Sequence, residues 1–248
     1  MKAAQHKRTA KTALKGKWGA AIGVFFIYTI LSGITGVVPE DYWWLALIVI
    51  VFISGPLSVG YNWFHLDLLR MPNARIEVLF DGFSKGFWRN VLAPVLVGIF
   101  TGLWTLLLII PGIIKSFSYS MTYYIMRDRP DLSVLEAITE SRKLMDGKKA
   151  NLFFLMLSYI WWYIVPIALM IGAGIMMGVS GEESIGLLFL GLVIIIVAAV
   201  AIFAISIYVT PYYTTAVAVF YDDFVKPRDD AQTVSLDKDV THLEDENI

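Results

Sequence analysis

The polar and apolar positions of this chain sort into long apolar runs separated by short polar connections. Six runs approach the ~20 residues that a spanning helix requires: 19–38, 42–64, 91–110, 113–126, 151–179 and 185–213. The fourth is the shortest, about 21 Å long if fully helical. Two polar connections carry a helical pattern of their own. In 73–89, Ile76, Leu79, Phe80, Phe83 and Phe87 fall on one helical face, which predicts a helix lying in the membrane interface with its phenylalanines down. In 133–146, Ser133 and Glu136 have capping-box spacing, and Leu135, Ile138 and Met145 form an apolar stripe opposite Glu136, Glu140 and Lys143.

Composition excludes a soluble core. Of 248 residues, 57% are hydrophobic and only 17% charged, with a mean hydropathy of +0.66. The absence of cysteine removes disulfides, thiolate chemistry and thiolate metal sites together. The apolar stretch after the basic N-terminal segment is longer than a secretory h-region and reads as an uncleaved first span.

Charge distribution orients the runs. With six spans, 19 of the 20 basic residues fall in cytosolic segments, with six before Trp18, four in 65–90, six in 127–150 and three after 221. The two outer connections that follow the first and fifth runs contain Glu40, Asp41, Glu182 and Glu183 and no Lys or Arg. Dropping the fourth span would place the six basic residues of 127–150 outside, against the positive-inside bias. The expectation is an all-α, polytopic helical bundle with six transmembrane helices, both termini cytosolic, in a plasma membrane. Residues 1–221 hold 17 Lys/Arg against 12 Asp/Glu, whereas 222–248 hold 3 against 9. The segment 225–248 therefore reads as an acidic, disordered cytosolic tail behind a membrane domain over 1–224.

Trp43, Trp44, Trp18 and Trp88 stand at span ends, as an interfacial belt requires. Trp161, Trp162 and Tyr163 lie about 15 Å into their helix. Tight packing against neighbouring helices is expected there, with a ligand-lined cavity as the alternative.

A threefold pattern runs through the membrane domain. Leu14-Lys15-Gly16-Lys17-Trp18, Ser84-Lys85-Gly86-Phe87-Trp88 and Met145-Asp146-Gly147-Lys148-Lys149 each precede an outward span. Gly19/Gly23, Gly98/Gly102 and Gly174/Gly178 put a GxxxG pair in each outward span, where it permits close helix approach. The returning spans carry Pro56, Pro111 and Pro211. The chain reads as three helix-hairpin units over 1–66, 67–129 and 130–224, with interfacial amphipathic helices on the cytosolic side.

The residues Leu14-Lys15-Gly16-Lys17-Trp18, Pro111-Gly112-Ile113-Ile114-Lys115, Tyr119-Ser120-Met121, Asp128, Pro130, Glu136-Ala137, Ser141-Arg142, Met145 and Gly147-Lys148-Lys149 carry a resemblance. The sequence resembles an uncharacterised family of bacterial, mostly Gram-positive, integral membrane proteins, domain of unknown function 975, over roughly 5–224. The resemblance implies a bacterial plasma-membrane protein without established activity. A looser similarity joins it to the membrane domain that accompanies some glycerophosphodiester phosphodiesterases, which is not their catalytic part.

No catalytic constellation is present. His6, His65 and His242 show no metal-ligand spacing with acids, and there is no GxSxG, HExxH or phosphate-cradling glycine loop. His65, Asn62 and Asp67 read as interfacial groups satisfied by headgroups and water. Lys115 is the one basic residue outside the cytosolic set, ~18 Å above the cytosolic end of a straight helix. It either snorkels to the outer headgroups or faces inward, with Glu182, Glu183, an anionic ligand or a lipid phosphate as partner. The polar residues Ser118, Tyr119, Thr122 and Tyr123 that follow complete a candidate ligand or lipid site with Lys115. The expected function is non-catalytic: a scaffold, regulator or assembly partner, contacting membrane lipids and a protein at its cytosolic face. It needs no cofactor, and the dispersed basic residues do not suit nucleic acid. The alternative is a small transporter or lipid- and anion-handling bundle around Lys115.

Overall fold

In the computed structural model, helices account for the apolar runs and for most of the connections. The structure describes residues 3–73, 75–179 and 184–245, with side chains through 225, and no strand occurs among them. The order is α1 (Ala3–Leu14), α2 (Trp18–Gly33), α3 (Trp43–Val49), a π segment (Ile50–Ser54), α4 (Gly55–Arg70), a 3-10 turn (Ile76–Phe80), α5 (Asp81–Ser84) and α6 (Phe87–Leu107). There follow α7 (Ile109–Tyr119), α8 (Thr122–Asp128), α9 (Val134–Leu144), α10 (Lys149–Ile160), a 3-10 turn (Trp161–Tyr163), α11 (Ile164–Val179) and α12 (Ile185–Asp245). The segment expected to be a disordered tail begins in the last part of α12, beyond the described side chains.

Among the described residues, five stretches are long and apolar enough to cross a bilayer: Trp18–Val37, Glu40–Arg70, Phe87–Leu107, Lys149–Val179 and Ile185–Val225. The fourth expected span is divided into α7 and α8, and the cause is a single side chain. Ser141 of α9, fully buried, accepts from the Met121 N–H (3.1 Å) and donates to the Ser118 carbonyl (2.8 Å). Its hydroxyl replaces two partners that the helix ladder would otherwise supply, so the ladder opens there. The two pieces still run antiparallel to α6. Arg89 reaches the carbonyls of Met126 and Arg129, Phe100 faces Tyr119 at 6.3 Å, and Lys115 lies over Trp104.

Proline explains two other irregularities. Pro56 has no N–H to give and crowds the carbonyl four residues back, and the π segment Ile50–Ser54 precedes it. Pro166 stands in the same relation to the 3-10 turn Trp161–Tyr163.

Burial is concentrated at one end. α4 is covered on nearly every side, with Leu57, Phe64, Leu66 and Leu68 fully buried against Leu79, Met121, Tyr124, Phe220 and Tyr221. Its approach to the strap over 76–84 is limited by backbone: Gly60 lies against the Leu79 carbonyl and Gly82 against the Pro56 carbonyl, leaving no room for a Cβ. The opposite halves of the spans are bare apolar surface, including Leu106, Ile110, Val165, Ile175 and Phe189.

Several expectations are corrected. The GxxxG glycines, expected to serve contacts either within the bundle or between copies, make none within the chain, since a Cβ on any of the six would meet no atom of a neighbouring element within 4 Å. Residues 73–89 do not form one amphipathic helix. Val78, Leu79 and Gly82 face α4 while Ile76 and Phe80 are exposed, because the tight contact with α4 imposes a 3-10 turn. The capping box of α9 is present, but Leu135 points away from the face formed by Val134, Ala137, Ile138, Ser141 and Leu144. Trp161 and Trp162 are not tightly packed; they are 76% and 58% exposed, turned outward by the break before Pro166.

Candidate functional site

Charged side chains gather where the ends of α4 and α8 meet the side of α12 around Tyr221 and Asp222. Arg70 holds Asp128 through two bonds (2.6 and 2.9 Å) and Asp222 through Nε (2.9 Å), and the Tyr221 hydroxyl donates to Asp128 (2.9 Å). Arg127 joins Asp67 of α4 (2.5 Å) to Asp81 of α5 (3.2 Å) and lies over the Trp63 ring, whose Nε1 donates to the Tyr123 carbonyl. Lys85 also reaches Asp81 (2.8 Å). Burial alone would raise the Asp81 pKa, but the bonds and charges of Lys85 and Arg127 hold it below the usual carboxylate range. These cations and anions are spent on one another. The arrangement fixes helix ends in register, and it leaves no nucleophile–base pair poised for chemistry.

Asp67 and His65 are therefore not headgroup contacts. His65 is fully buried, with Nδ1 2.9 Å from the Thr215 hydroxyl, because α4 is enclosed on all sides rather than lying at the surface. Asn62 donates to the Ser58 carbonyl of its own helix. His6 is also buried, with Nε2 3.4 Å from Asp223, and the side chain of His242 lies outside the described residues. Among the described residues no group of three His, Asp or Glu side chains stands close enough to hold a metal.

The five residues expected to form a ligand site occupy one helix pair without converging on one cavity. Lys115 is half-buried, with its ammonium 4.5 Å from the Trp104 ring centroid and within electrostatic reach of Arg142 and Lys149. Among the described residues it has no carboxylate ion pair, and Glu182 and Glu183 lie outside them. Ser118 and Thr122 are buried, and their hydroxyls bond carbonyls of their own turns, Ile114 (2.9 Å) and Tyr119 (2.7 Å). Tyr119 is buried against Phe100, and Tyr123 is half-buried beside Trp63.

A second place was marked by its sequence at Trp162 alone, where a ligand-lined cavity was the alternative to tight packing. α1, α10 and α12 enclose a cleft of about 700 Å3, lined by Lys7, Lys11, Tyr159, Trp162, Tyr208 and Tyr212 among others. Lys7 donates to the Ser158 carbonyl (3.1 Å), four residues before Trp162 and just ahead of the 3-10 turn, and its ammonium lies 4.5 Å from the centre of the Tyr159 ring. Burial pushes the Lys7 pKa down. Tyr212 donates to the Lys7 carbonyl (3.0 Å), and Trp18 stacks on Tyr208 at 4.7 Å. The i, i+4 spacing of Lys7/Lys11 and of Tyr208/Tyr212 was a usable signal. The pairing of helices some 200 positions apart was not.

Two overlapping segments, 1–115 and 105–227, match the model of a family described as protein of unknown function (DUF975). No curated protein and no solved structure matches the chain.

Proposed function

The chain belongs to the DUF975 family, and from that premise we propose a non-catalytic multi-pass membrane protein, acting as a scaffold, regulator or assembly partner in a bacterial plasma membrane. It crosses the bilayer six times with both ends cytosolic, the α7–α8 pair supplying the fourth crossing. The observation that carries this reading is the division of the molecule into an end tied together by the Arg70 and Arg127 ion pairs and bare apolar span halves. A protein built to turn over a substrate keeps polar groups open to it, whereas the Arg70 and Arg127 clusters are closed on their own carboxylates.

A threefold repeat of helix hairpins underlies the design, and the junctions support it. Gly16, Gly86 and Gly147 are the only described residues with left-handed backbone (φ +79°, +72° and +69°), a conformation only glycine adopts without strain. Each junction sends a cation to a returning helix, two of them to its end and the third to a ring within α12. Lys17 bonds the Leu68 and Met71 carbonyls at the end of α4, Arg89 bonds those of Met126 and Arg129 at the end of α8, and Lys148 lies over Phe224 of α12. Lys17 and Arg89, at the C-termini of α4 and α8, meet the negative end of the dipole and otherwise unpaired carbonyls. The 76–84 strap and α9 serve as cytosolic covers of this end and offer the protein-facing surface.

One observation favours the other reading, an anion- or lipid-handling bundle. Lys115 shares its surroundings with Arg142 and Lys149, and Lys149 borders an apolar cleft of about 400 Å3 beside Ile113 and Phe117. Single-cysteine scanning of 108–124 in intact cells with a membrane-impermeant thiol reagent separates the two, since the chain has no cysteine of its own. For the scaffold, labelling at 108–110 stops by about residue 114. Labelling that continues along one helical face through Ser118 and Thr122 would establish a water-filled path and replace the scaffold with the carrier.

A further inference from the structure

We propose that the cleft between α1, α10 and α12 is a binding site for an anionic phospholipid, with Lys7 and Lys11 on the phosphate and the aromatic walls against the glycerol and upper acyl chains. The inference does not depend on whether the protein is a scaffold or a carrier.

Four features define the ligand. The lining holds two cations and no carboxylate, so it favours a group of negative charge. Lys7 uses one donor on Ser158 and keeps two, while Lys11 makes no side-chain bond or ion pair among the described residues. Desolvation of an ammonium without a counter-ion disfavours its charge, and a phosphate in the cleft would restore it. The remaining wall is apolar and open: Trp162 is 58% and Tyr208 41% exposed on the surfaces of helices long enough to span a bilayer. Two cations beside exposed Trp and Tyr offer a lipid at the interface one set of groups for its phosphate and another for its glycerol and upper chains. A free phosphate would use the first part and leave the aromatic wall unfilled.

The test is binding of fluorescent phosphatidylglycerol by the purified full-length protein in a neutral detergent. Competitors are unlabelled phosphatidylglycerol, phosphatidylcholine and millimolar inorganic phosphate. Phosphatidylglycerol should displace the probe at least about ten-fold more effectively than phosphatidylcholine, and inorganic phosphate should not displace it. The double variant Lys7→Gln/Lys11→Gln should weaken phosphatidylglycerol binding about thirty-fold, at roughly a factor of five for each ammonium near the headgroup. Lys143→Gln, an exposed lysine paired with Glu140 elsewhere, should bind as the parent does. If Lys7→Gln impairs folding by freeing the Ser158 carbonyl, Lys11→Gln alone carries the test, since that side chain is exposed. Equal displacement by the two lipids, or parental affinity in the lysine variants, overturns the proposal. Displacement by inorganic phosphate overturns it in favour of a soluble anion site.

Discussion

The two halves of this molecule are built from similar apolar residues and held by different forces. At the polar end, α4 is enclosed by α6, α8, α12 and the 76–84 strap, and its backbone touches neighbouring backbone at Gly60 and Gly82. At the far end the spans show broad apolar faces, and the glycine pairs that invite close approach touch nothing. Apolar surface toward lipid gains little from meeting more apolar surface, so a bundle in a membrane needs shape or polar contacts to choose its arrangement. One half has both. The other presents bare apolar surface.

The sharpest way to break that contrast is to place the same methyl group in each half. Gly60→Ala forces a Cβ into the Leu79 carbonyl, a backbone atom that cannot rotate away. It should cost about 3 kcal/mol, as overpacking of a closed contact does. Gly98→Ala meets open space and should change stability by less than about 0.5 kcal/mol. Unfolding midpoints of the two purified variants in one detergent decide the matter, and equal midpoints would abolish the distinction between the halves. Next in size is Ser141→Ala, which strands the Met121 N–H and the Ser118 carbonyl in a buried site. A loss of about 1–3 kcal/mol is expected. If the variant is instead as stable as the parent, α7 and α8 close into one helix without it, and Ser141 is not the cause of the break.

Much of this was legible in the residues, and what was not has a common cause. Five of the six runs became helices of spanning length because each is apolar throughout and bounded by Gly, Pro or charge. Gly16, Gly86 and Gly147 stood out because a left-handed turn between helices needs glycine at a fixed place. The break at Ser120–Met121 was invisible, since it is made by a serine of another helix. The pattern over 73–89 misled because periodicity of 3.6 assumes an α-helix, whereas contact with α4 tightened the turn. Lys115, Ser118 and Thr122 form the polar part of their segment. Their partners, an indole and two carbonyls of the same helix, follow from local geometry that composition does not carry. The Lys7 cleft required knowing that α1 lies across α12, a contact between the two ends of the chain.

The gentlest probe of the contrast is acid, because the polar end holds a carboxylate tuned by its neighbours. Asp81 titrates below the usual carboxylate range in the folded protein: burial raises its pKa, and Lys85 and Arg127 more than offset that. In the unfolded chain it returns to about 3.9. The unfolded state therefore binds the proton first as pH falls, so this contribution is complete above about pH 4 and is lost as pH drops through the folded value. The side chain is 16% exposed, and solvent screening keeps the contribution under about 1 kcal/mol. Comparing the parent with Asp81→Asn, the difference in unfolding midpoint should be constant from pH 8 to about pH 5 and shrink below pH 4. Hydrogen exchange should rise in acid over 76–84 and 122–128 before it rises in the far halves of the spans. A difference that holds unchanged to pH 3, or exchange that rises first in the bare halves, would mean that the Arg127–Asp81–Lys85 contacts do not hold the strap against the bundle.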